Sequence, residues 1–390
     1  AVVSTYYAYR VYYMEKDMAV TPKEIPEETA VSSAASAALA VAAPAPAKAA
    51  EPAPIAEPDR VILPYPPSRP VTKVTLYDVS NPSAPKRLTT LAQDGGLLSS
   101  RLLDGTLYVV SNHYIYGLDE DTPESFVPAL YRDGERRLMA PGEIGILPIV
   151  PTTRYTVACA YDLDSGDLAA SRSVLGGGET LYMNRDSLYV AGTRYEEVPS
   201  APYTYKIYTV TDYASRTMTD IVRFDLTGGN LEIAASGSVE GSLYGQFALD
   251  AYEGNLRVVT TSYISSWTVY ADEELGFTNY KWHESTTRNS LFVLDENLSL
   301  IGQVTDLAPG EQVYSVRFDG PVGYITTFRQ VDPLFAVDLS DPTSPQVLSA
   351  LKIPGFSQYL HVFGENRLFG LGMDADEDGR TLGMKQKRRD

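Results

Sequence analysis

Cysteine, histidine and basic residues are scarce in this chain of 390 residues, and each shortage excludes a class of protein. A single cysteine, Cys159, rules out an internal disulfide and a cysteine-rich zinc site. The 32 Lys and Arg are outnumbered by 50 Asp and Glu, which gives a formal net charge of -18. A nucleic-acid surface needs clustered cations, so nucleic acid is excluded as a partner.

Long apolar runs are also missing, and no segment of 18 apolar residues predicts a transmembrane helix. The first residues, "AVVSTYYAYRVYY", contain neither a basic region nor a small-residue cleavage site, and their pattern predicts a strand. We therefore expect no targeting segment within this chain. Cys159 lies in the alternating stretch "TVACAYDL", which is typical of a buried strand, and we expect it to be a small core residue.

What the chain has in abundance is tyrosine, with 28 copies, and short Val, Leu, Tyr and Thr runs between polar turns. One element recurs, a polar turn followed by an apolar strand, as in "LLDGTLYVVSN" and "AYEGNLRVVTTS". Successive copies, aligned on one apolar position, are 81, 68, 66 and 46 residues apart, at Leu107, Leu188, Leu256, Val322 and Leu368. The shortest spacing is that of a four-stranded propeller blade.

Each repeat also contains a hairpin with a turn rich in Asp, Asn, Ser, Gly or Pro, such as "TVACAYDLDSGDLAASRSVLG". Four strands per repeat, here named A to D, predict an all-β fold: a β-propeller of four-stranded antiparallel blades with strand A innermost and almost no helix. The sequence predicts five or six blades, incomplete at both ends.

The repeats divide the chain into four regions. Residues 1–20 are expected to supply strands of a partial first blade, 21–70 an Ala/Pro-rich insertion, 71–383 the propeller blades, and 384–390 an irregular tail. Long insertions fall between strands B and C, at 112–153, 192–219 and 261–288. Because strands alternate in direction, all B-to-C connections should emerge on one face, where binding usually takes place.

Two of these insertions are dense in aromatic residues and are predicted to be long antiparallel arms. Their rings offer a stacking surface for sugars or an extended peptide. The other interpretation is that the rings pack the two arms against each other. The candidate ligand-binding residues are Tyr203, Tyr205, Tyr208, Trp267, Tyr270, Tyr280 and Trp282, with Phe277 nearby.

Three stretches of the chain, among them "FRQVDPLFAVDLSDP" and "IPGFSQYLH", make it similar to a known family. The chain resembles the secreted bacterial and archaeal β-propeller domain that is distantly related to WD-40 repeats, over about residues 71–383. The resemblance implies an exported or surface-anchored protein. It supplies no catalytic residues to carry over.

Chemistry that could reveal an enzyme is sparse. No Gly-x-Ser-x-Gly elbow occurs, and His113, His283 and His361 lie in different repeats. The acidic pairs Asp119/Asp121 and Glu196/Glu197 could serve glycoside chemistry. Carboxylates are so abundant in this chain, however, that such pairs carry little information. We therefore expect no catalytic residues.

Calcium is the one candidate cofactor. Asp374, Asp376 and Asp378 have the spacing of the first ligands of an EF-type loop, but Lys385 stands where the closing Glu belongs. A solvated acidic turn is the alternative, and any calcium site here is expected to be weak.

The function expected from the sequence is that of a non-catalytic extracytoplasmic binding or scaffold module, secreted or at the cell surface, whose loops bind a protein, peptide or glycan. The alternative is a carboxylate-based hydrolase or lyase that acts on a glycan at the central opening.

Overall fold

The computed structural model describes residues 2–8, 69–115, 118–147, 152–272, 274–328, 332–353, 356–364, 367–375 and 381–389. Within these ranges there is no α-helix. The helical turns found there are four three-residue 3₁₀ turns, at Pro123–Ser125, Pro141–Glu143, Thr227–Gly229 and Gln246–Ala248. The prediction of an all-β chain with almost no helix is confirmed. Most of the Ala/Pro-rich insertion lies outside the described residues, and its last two residues begin a strand.

The described strands, in chain order, are β1 (Val2–Ala8), β2 (Arg69–Asp78), β3 (Lys86–Asp94), β4 (Gly96–Leu103), β5 (Thr106–Tyr114), β6 (Ala129–Arg132), β7 (Glu135–Leu138), β8 (Ile144–Ile146), β9 (Arg154–Asp162), β10 (Leu168–Leu175), β11 (Thr180–Met183), β12 (Ser187–Pro199), β13 (Tyr203–Tyr205), β14 (Tyr208–Asp225), β15 (Glu232–Glu240), β16 (Leu249–Tyr252), β17 (Asn255–Asp272), β18 (Phe277–Trp282), β19 (Thr286–Leu294), β20 (Leu300–Leu307), β21 (Gln312–Asp319), β22 (Val322–Phe328), β23 (Asp332–Asp338), β24 (Gln346–Ile353), β25 (Phe356–Val362), β26 (Leu368–Ala375) and β27 (Thr381–Arg389).

These strands form six consecutive antiparallel meanders, which we call units 1 to 6. Unit 1 contains β1, β2 and β3, and unit 6 contains β25, β26 and β27. The four units between them each have strands A to D, namely β4-β5-β9-β10, β11-β12-β14-β15, β16-β17-β19-β20 and β21-β22-β23-β24. The prediction of an irregular tail at 384–390 is wrong. Residues 384–389 belong to β27, which pairs with β26.

Two kinds of turn set the strand order. Asp104–Gly105 and Glu253–Gly254 have positive φ at both residues (47° and 83°, 49° and 82°), which is the geometry of a tight two-residue hairpin and favours glycine. Each C-to-D turn instead begins with an aspartate whose carboxylate accepts the N–H two residues later, at Asp78, Asp162, Asp225, Asp295 and Asp338. These aspartates, including Asp162 of "YDLDSGDL", therefore serve the turns.

Adjacent units pack face to face through four apolar clusters, one at each interface from unit 1 to unit 5. The interface of units 1 and 2 contains Val74, Val109 and Cys159, all of them completely buried. Burial raises the pKa of the Cys159 thiol to about 12. The expectation that Cys159 is a small core residue is confirmed.

A buried hydrogen bond recurs at the junction between units. Thr72, Thr156, Thr219 and Asn289 each precede the C-to-D turn aspartate by six residues, and each is at most 1% exposed. Each bonds the segment that links strand D to the next strand A: Thr72 Oγ1 donates to the carbonyl of Gly95, and Thr219 Oγ1 to that of Gly241. One such bond contributes about 1 kcal/mol. The repeat thus encodes the link between units as well as the strands.

The three insertions do not all crowd one face. Residues 112–153 fold back: β6 pairs with β3, the outer strand of unit 1, and β8 pairs in parallel with β10, the outer strand of unit 2. The other two insertions form long antiparallel arms, as expected.

Candidate ligand-binding surface

The two arms join into one sheet. β14 and β17 are each 18 residues long, and their outer halves pair with each other from Thr209↔Ala271 to Ser215↔Ser265. β12 and β13 pair with the other side of β14, and β18 pairs with the other side of β17. We call this extension of units 3 and 4 the arm sheet; it contains residues 194–216 and 264–282.

Strand alternation divides the rings of the arm sheet between two faces. Tyr213, Trp267 and Trp282 are directly opposite one another on neighbouring strands and so share one side, the front face. Tyr195 and Tyr280 lie on the same side by their register with Thr217 and Val269. The back face carries Tyr203, Tyr205, Tyr208, Tyr270 and Phe277.

On the front face three rings form a stack across three strands. The Tyr213 and Trp267 centroids are 5.4 Å apart with planes 3° from parallel, and the Trp267 and Trp282 centroids are 5.0 Å apart at 35°. Trp267 is only 9% exposed, whereas Trp282 is 65% exposed. Trp267 therefore pins the two arms together, and Trp282 presents its outer surface to solvent.

The back face is built differently. Tyr208 and Tyr270 meet edge to face at 6.1 Å, and Val210, which is opposite Tyr270 on β14, is completely buried. Tyr203 and Tyr205 are each about half exposed. Tyr208 and Tyr270 therefore stabilise the arm sheet, as the packing interpretation expected.

All seven aromatic residues predicted to bind a ligand lie in the arm sheet, but the structure separates them. Trp267, Tyr280 and Trp282 are on the front face, and the other four residues, all tyrosines, are on the back face. The prediction missed Tyr195 and Tyr213. The alternation of side chains along β12 and β14 could have identified these two tyrosines as front-face residues. That inference requires the pairing register between arms of different repeats, which the sequence does not give.

The acidic pairs offer no catalytic dyad. Asp119 Oδ2 accepts the Thr122 hydroxyl at 2.7 Å within its own turn, and Glu196 Oε2 accepts the Arg216 guanidinium at 2.9 Å. Glu197 is adjacent to Glu196 in a strand, so its side chain points to the opposite face.

The three histidines occupy three different environments. His113 is buried in β5, and desolvation lowers its pKa below the usual range. The His283 Nε2 lies 3.0 Å from the Thr268 hydroxyl in the arm sheet. His361 is exposed and stacked on Tyr359. They therefore show no common catalytic arrangement.

The calcium hypothesis falls largely outside the described residues. Asp374 belongs to β26, and Asp376 and Asp378 lie outside the described ranges. Within those ranges no group of three or more His, Cys, Asp or Glu side chains is placed to hold a metal. Weak calcium binding at this loop stays a prediction.

Successive antiparallel meanders, four of them with strands A to D, are typical of a propeller, and comparison with known proteins agrees with this fold class. The sequence matches the family described as "Beta propeller domain" over residues 5–387. The chain belongs to this β-propeller family. No helix in the described part of the chain is long and apolar enough to cross a membrane.

Two relatives of this β-propeller chain come from archaea. "Uncharacterized protein MJ1554" of Methanocaldococcus jannaschii is 29% identical over 365 residues, which are 78% of this chain and 55% of the relative. An "Uncharacterized protein" of Archaeoglobus fulgidus is 29% identical over 355 residues, 75% of this chain and 53% of the relative. The chain thus spans little more than half of either relative, and a bacterial origin is not supported.

Solved structures with related shapes include Kluyveromyces lactis Hsv2p (TM-score 0.24, 10% identity, covering 76% of this chain and 99% of that chain). The C-terminal WD40 domain of Sif2 gives a TM-score of 0.26 at 8% identity, covering 76% of this chain and 91% of that domain. Similarity at this level says nothing about ligands.

Proposed function

We propose that the chain is a non-catalytic binding and scaffold module, in which an extended segment of a partner protein adds as a strand to β18 at the edge of the arm sheet. The observation that carries this proposal is the combination of an open strand edge and exposed rings at that edge. An incomplete propeller ring of six blades would hold the arm sheet in place.

The open edge of β18 follows from its hydrogen-bond register. The His283 N–H donates to the Ser266 carbonyl at 2.9 Å, so this pair is a hydrogen-bonded one. Because bonded and non-bonded pairs alternate in an antiparallel ladder, Thr278, Tyr280 and Trp282 direct their N–H and C=O groups away from β17. Among the described residues β18 pairs with β17 alone, so these groups are available to a further strand.

The side chains of the same three residues lie on the front face. An added strand would be about 4.8 Å from β18. Its own side chains would then pack against the exposed rings of Tyr280 and Trp282, which are 57% and 65% exposed. Main-chain bonds would supply affinity and the rings selectivity, which is the usual division in peptide recognition by strand addition.

Two other possibilities are weaker. A glycan could stack on the front-face rings, but it would use neither the N–H nor the C=O groups of the edge in register. A carboxylate hydrolase needs two convergent carboxylates, whereas in the described ranges Asp119 is bonded to Thr122 in its own turn and Glu196 to Arg216. The extracytoplasmic location is part of the proposal; recovery of the protein in the cytosolic fraction of its source cells would contradict it.

The first prediction separates strand addition from ring stacking. Peptide and glycan arrays probed with the full chain should yield a peptide ligand, whose affinity is then measured by calorimetry. Thr278→Pro removes an outward N–H but leaves every ring and the β17 ladder in place, and it should weaken binding about tenfold or more. Trp282→Ala should do the same.

Thr278→Val, which keeps the N–H, and Tyr205→Ala, on the back face, are the matched controls and should bind like the unmodified chain. A ligand lost with Trp282→Ala but retained by Thr278→Pro would contradict strand addition and favour stacking of a glycan. An array without a saturable peptide ligand would contradict the proposal altogether.

A further inference from the structure

The A strands of four successive units carry polar side chains at one equivalent position. This position is two residues before the pair that closes the A-to-B turn, and it is occupied by Arg101, Tyr182, Asp250 and Arg317. The residues paired with them on strand B are, in the same order, Tyr108, Tyr189, Arg257 and Tyr324. Because strand A is innermost in a propeller blade, equivalent A positions lie at one level around the centre. We call these four residues the channel ring.

All four members of the channel ring line one cavity of about 300 Å³. Its remaining walls include Met183, Gln246, Phe247 and Phe318, so it is partly apolar. A volume of this order holds a small organic molecule. The cavity is separate from the arm sheet, which is made of strands B and C.

The acidic member of the ring is already neutralised. Arg257 Nε donates to Asp250 Oδ2 at 3.0 Å, and the two side chains form an ion pair. The Arg257 side chain is only 4% exposed and lies over the rings of Tyr252 and Phe318, at 4.8 and 4.6 Å from their centroids. Asp250 therefore leaves no net negative charge in the cavity.

Neither arginine of the ring has a carboxylate partner in the part of the chain that the structure describes. Arg101 donates to Ser99 Oγ at 2.6 Å, to the Ser100 carbonyl at 2.9 Å and to Gln246 Oε1 at 3.2 Å, all of them uncharged groups. Among the described residues Arg317 makes no ion pair, and its buried Nε has no hydrogen-bond partner. Buried polar groups are normally bonded, so an unsatisfied guanidinium nitrogen beside a cavity in a chain of net charge -18 points to an anionic ligand.

Tyr182 adds a directed donor. Its hydroxyl oxygen accepts the Ala251 N–H at 3.1 Å, which leaves the hydroxyl proton to donate elsewhere. Burial raises the pKa of Tyr182 above its usual value, so the proton is retained at physiological pH.

We propose that the channel ring binds a small organic anion with a carboxylate or phosphate group, which Arg317 and Arg101 hold through charge-assisted hydrogen bonds and to which Tyr182 donates. The apolar part of the ligand packs against Met183, Phe247 and Phe318. Arginine suits this role because its planar fork matches both carboxylate and phosphate oxygens.

The second prediction tests this site by calorimetric titration of the full chain with succinate, glycerol 3-phosphate and the uncharged succinamide. At least one of the two anions should bind saturably, and the better of them identifies the anionic group; succinamide should not bind. Arg317→Met, which keeps the volume and removes the charge, should weaken binding about tenfold to a hundredfold. Tyr182→Phe should have a smaller effect.

Arg185→Met is the matched control, because Arg185 is an exposed arginine of the unit 3 A-to-B turn, 75% exposed and paired with Asp104. Its affinity should equal that of the unmodified chain. Saturable binding of neither anion, or equal affinity in the Arg317→Met and unmodified chains, would overturn the proposal. Melting curves of each variant show whether a loss of binding is a loss of folding.

Discussion

The folded-back insertion at 112–153 and the arm sheet are both excursions between strands B and C, but they are held by opposite kinds of contact. Hydrogen bonds to carboxylates hold the folded-back insertion in place. Asp94, 3% exposed, accepts the Ala129 N–H and the Tyr131 hydroxyl, both at 2.9 Å, and so fixes β6 against unit 1. Glu143 accepts the Arg137 guanidinium at 2.7 and 3.0 Å and the Ser171 hydroxyl at 2.6 Å, which fixes the same insertion to unit 2.

Stacked aromatic rings hold the arm sheet together. Trp267 lies between Tyr213 and Trp282, and the backbone ladder of β14 and β17 supplies the rest. Buried carboxylates require specific donors and hold one arrangement. Rings gain from burial but tolerate exposure, so a stack can be buried at its centre and open at its end. This difference supports the proposal that the arm sheet, and not the folded-back insertion, binds a partner.

The largest effect is expected where a carboxylate is removed from the folded-back insertion. Asp94→Ala leaves the Ala129 N–H and the Tyr131 hydroxyl without their acceptor, and we expect a loss of about 3 kcal/mol in the free energy of unfolding. Urea denaturation measures it. Burial and then Asp94 raise the pKa of Tyr131 to about 12, so the variant should also lower the pKa of that phenol.

Asp121→Ala is the control for this experiment, since Asp121 is an exposed aspartate of the same insertion. It should be neutral. If Asp94→Ala were equally neutral, carboxylate pinning would be the wrong account of the insertion.

A smaller and more local effect is expected in the arm sheet. Trp267→Ala removes the centre of the ring stack and should cost about 2 kcal/mol, less than a fully buried tryptophan because the sheet is exposed nearby. Amide exchange should accelerate in β14 and β17 and stay unchanged in β9. Trp282→Ala, at the exposed end of the stack, should change stability by less than about 0.5 kcal/mol. Uniform acceleration throughout the chain would contradict a local role.

Sequence periodicity predicted the strands, the repeat and the arms well, because these depend on local alternation and turn chemistry. The Asp162 turn, the burial of Cys159 and the hairpin form of the arms are all local properties. Pairing between arms of different repeats is not local. Neither the partition of Tyr203 and Trp282 to opposite faces nor the importance of Tyr213 could be predicted without that register.

The channel ring and the folded-back insertion were missed for a related reason. Arg101 and Arg317 are 216 positions apart in the sequence, and only the packing of successive units brings them to one cavity. Asp94 and Glu143 looked like two of many carboxylates until the structure placed donors around them. In an acidic chain, the informative carboxylates are those that are bonded, and composition cannot identify them.

The smallest effect concerns acid, which should release the folded-back insertion before the arm sheet. Burial alone would raise the pKa of Glu143, but the hydrogen bonds from Arg137, Ser171 and the Ala140 N–H outweigh it and lower the pKa to about 2. Since the folded-state pKa is below that of the unfolded chain, the stabilisation is complete above about pH 5 and is lost as the pH falls towards 2. We expect a loss of about 1–2 kcal/mol in the free energy of unfolding, because partial exposure screens the ion pair.

Glu143→Gln should remove this part of the pH dependence, and Glu135→Gln, an exposed neighbour, should not. Equal acid sensitivity in the unmodified chain and Glu143→Gln would show that Glu143 does not hold the insertion.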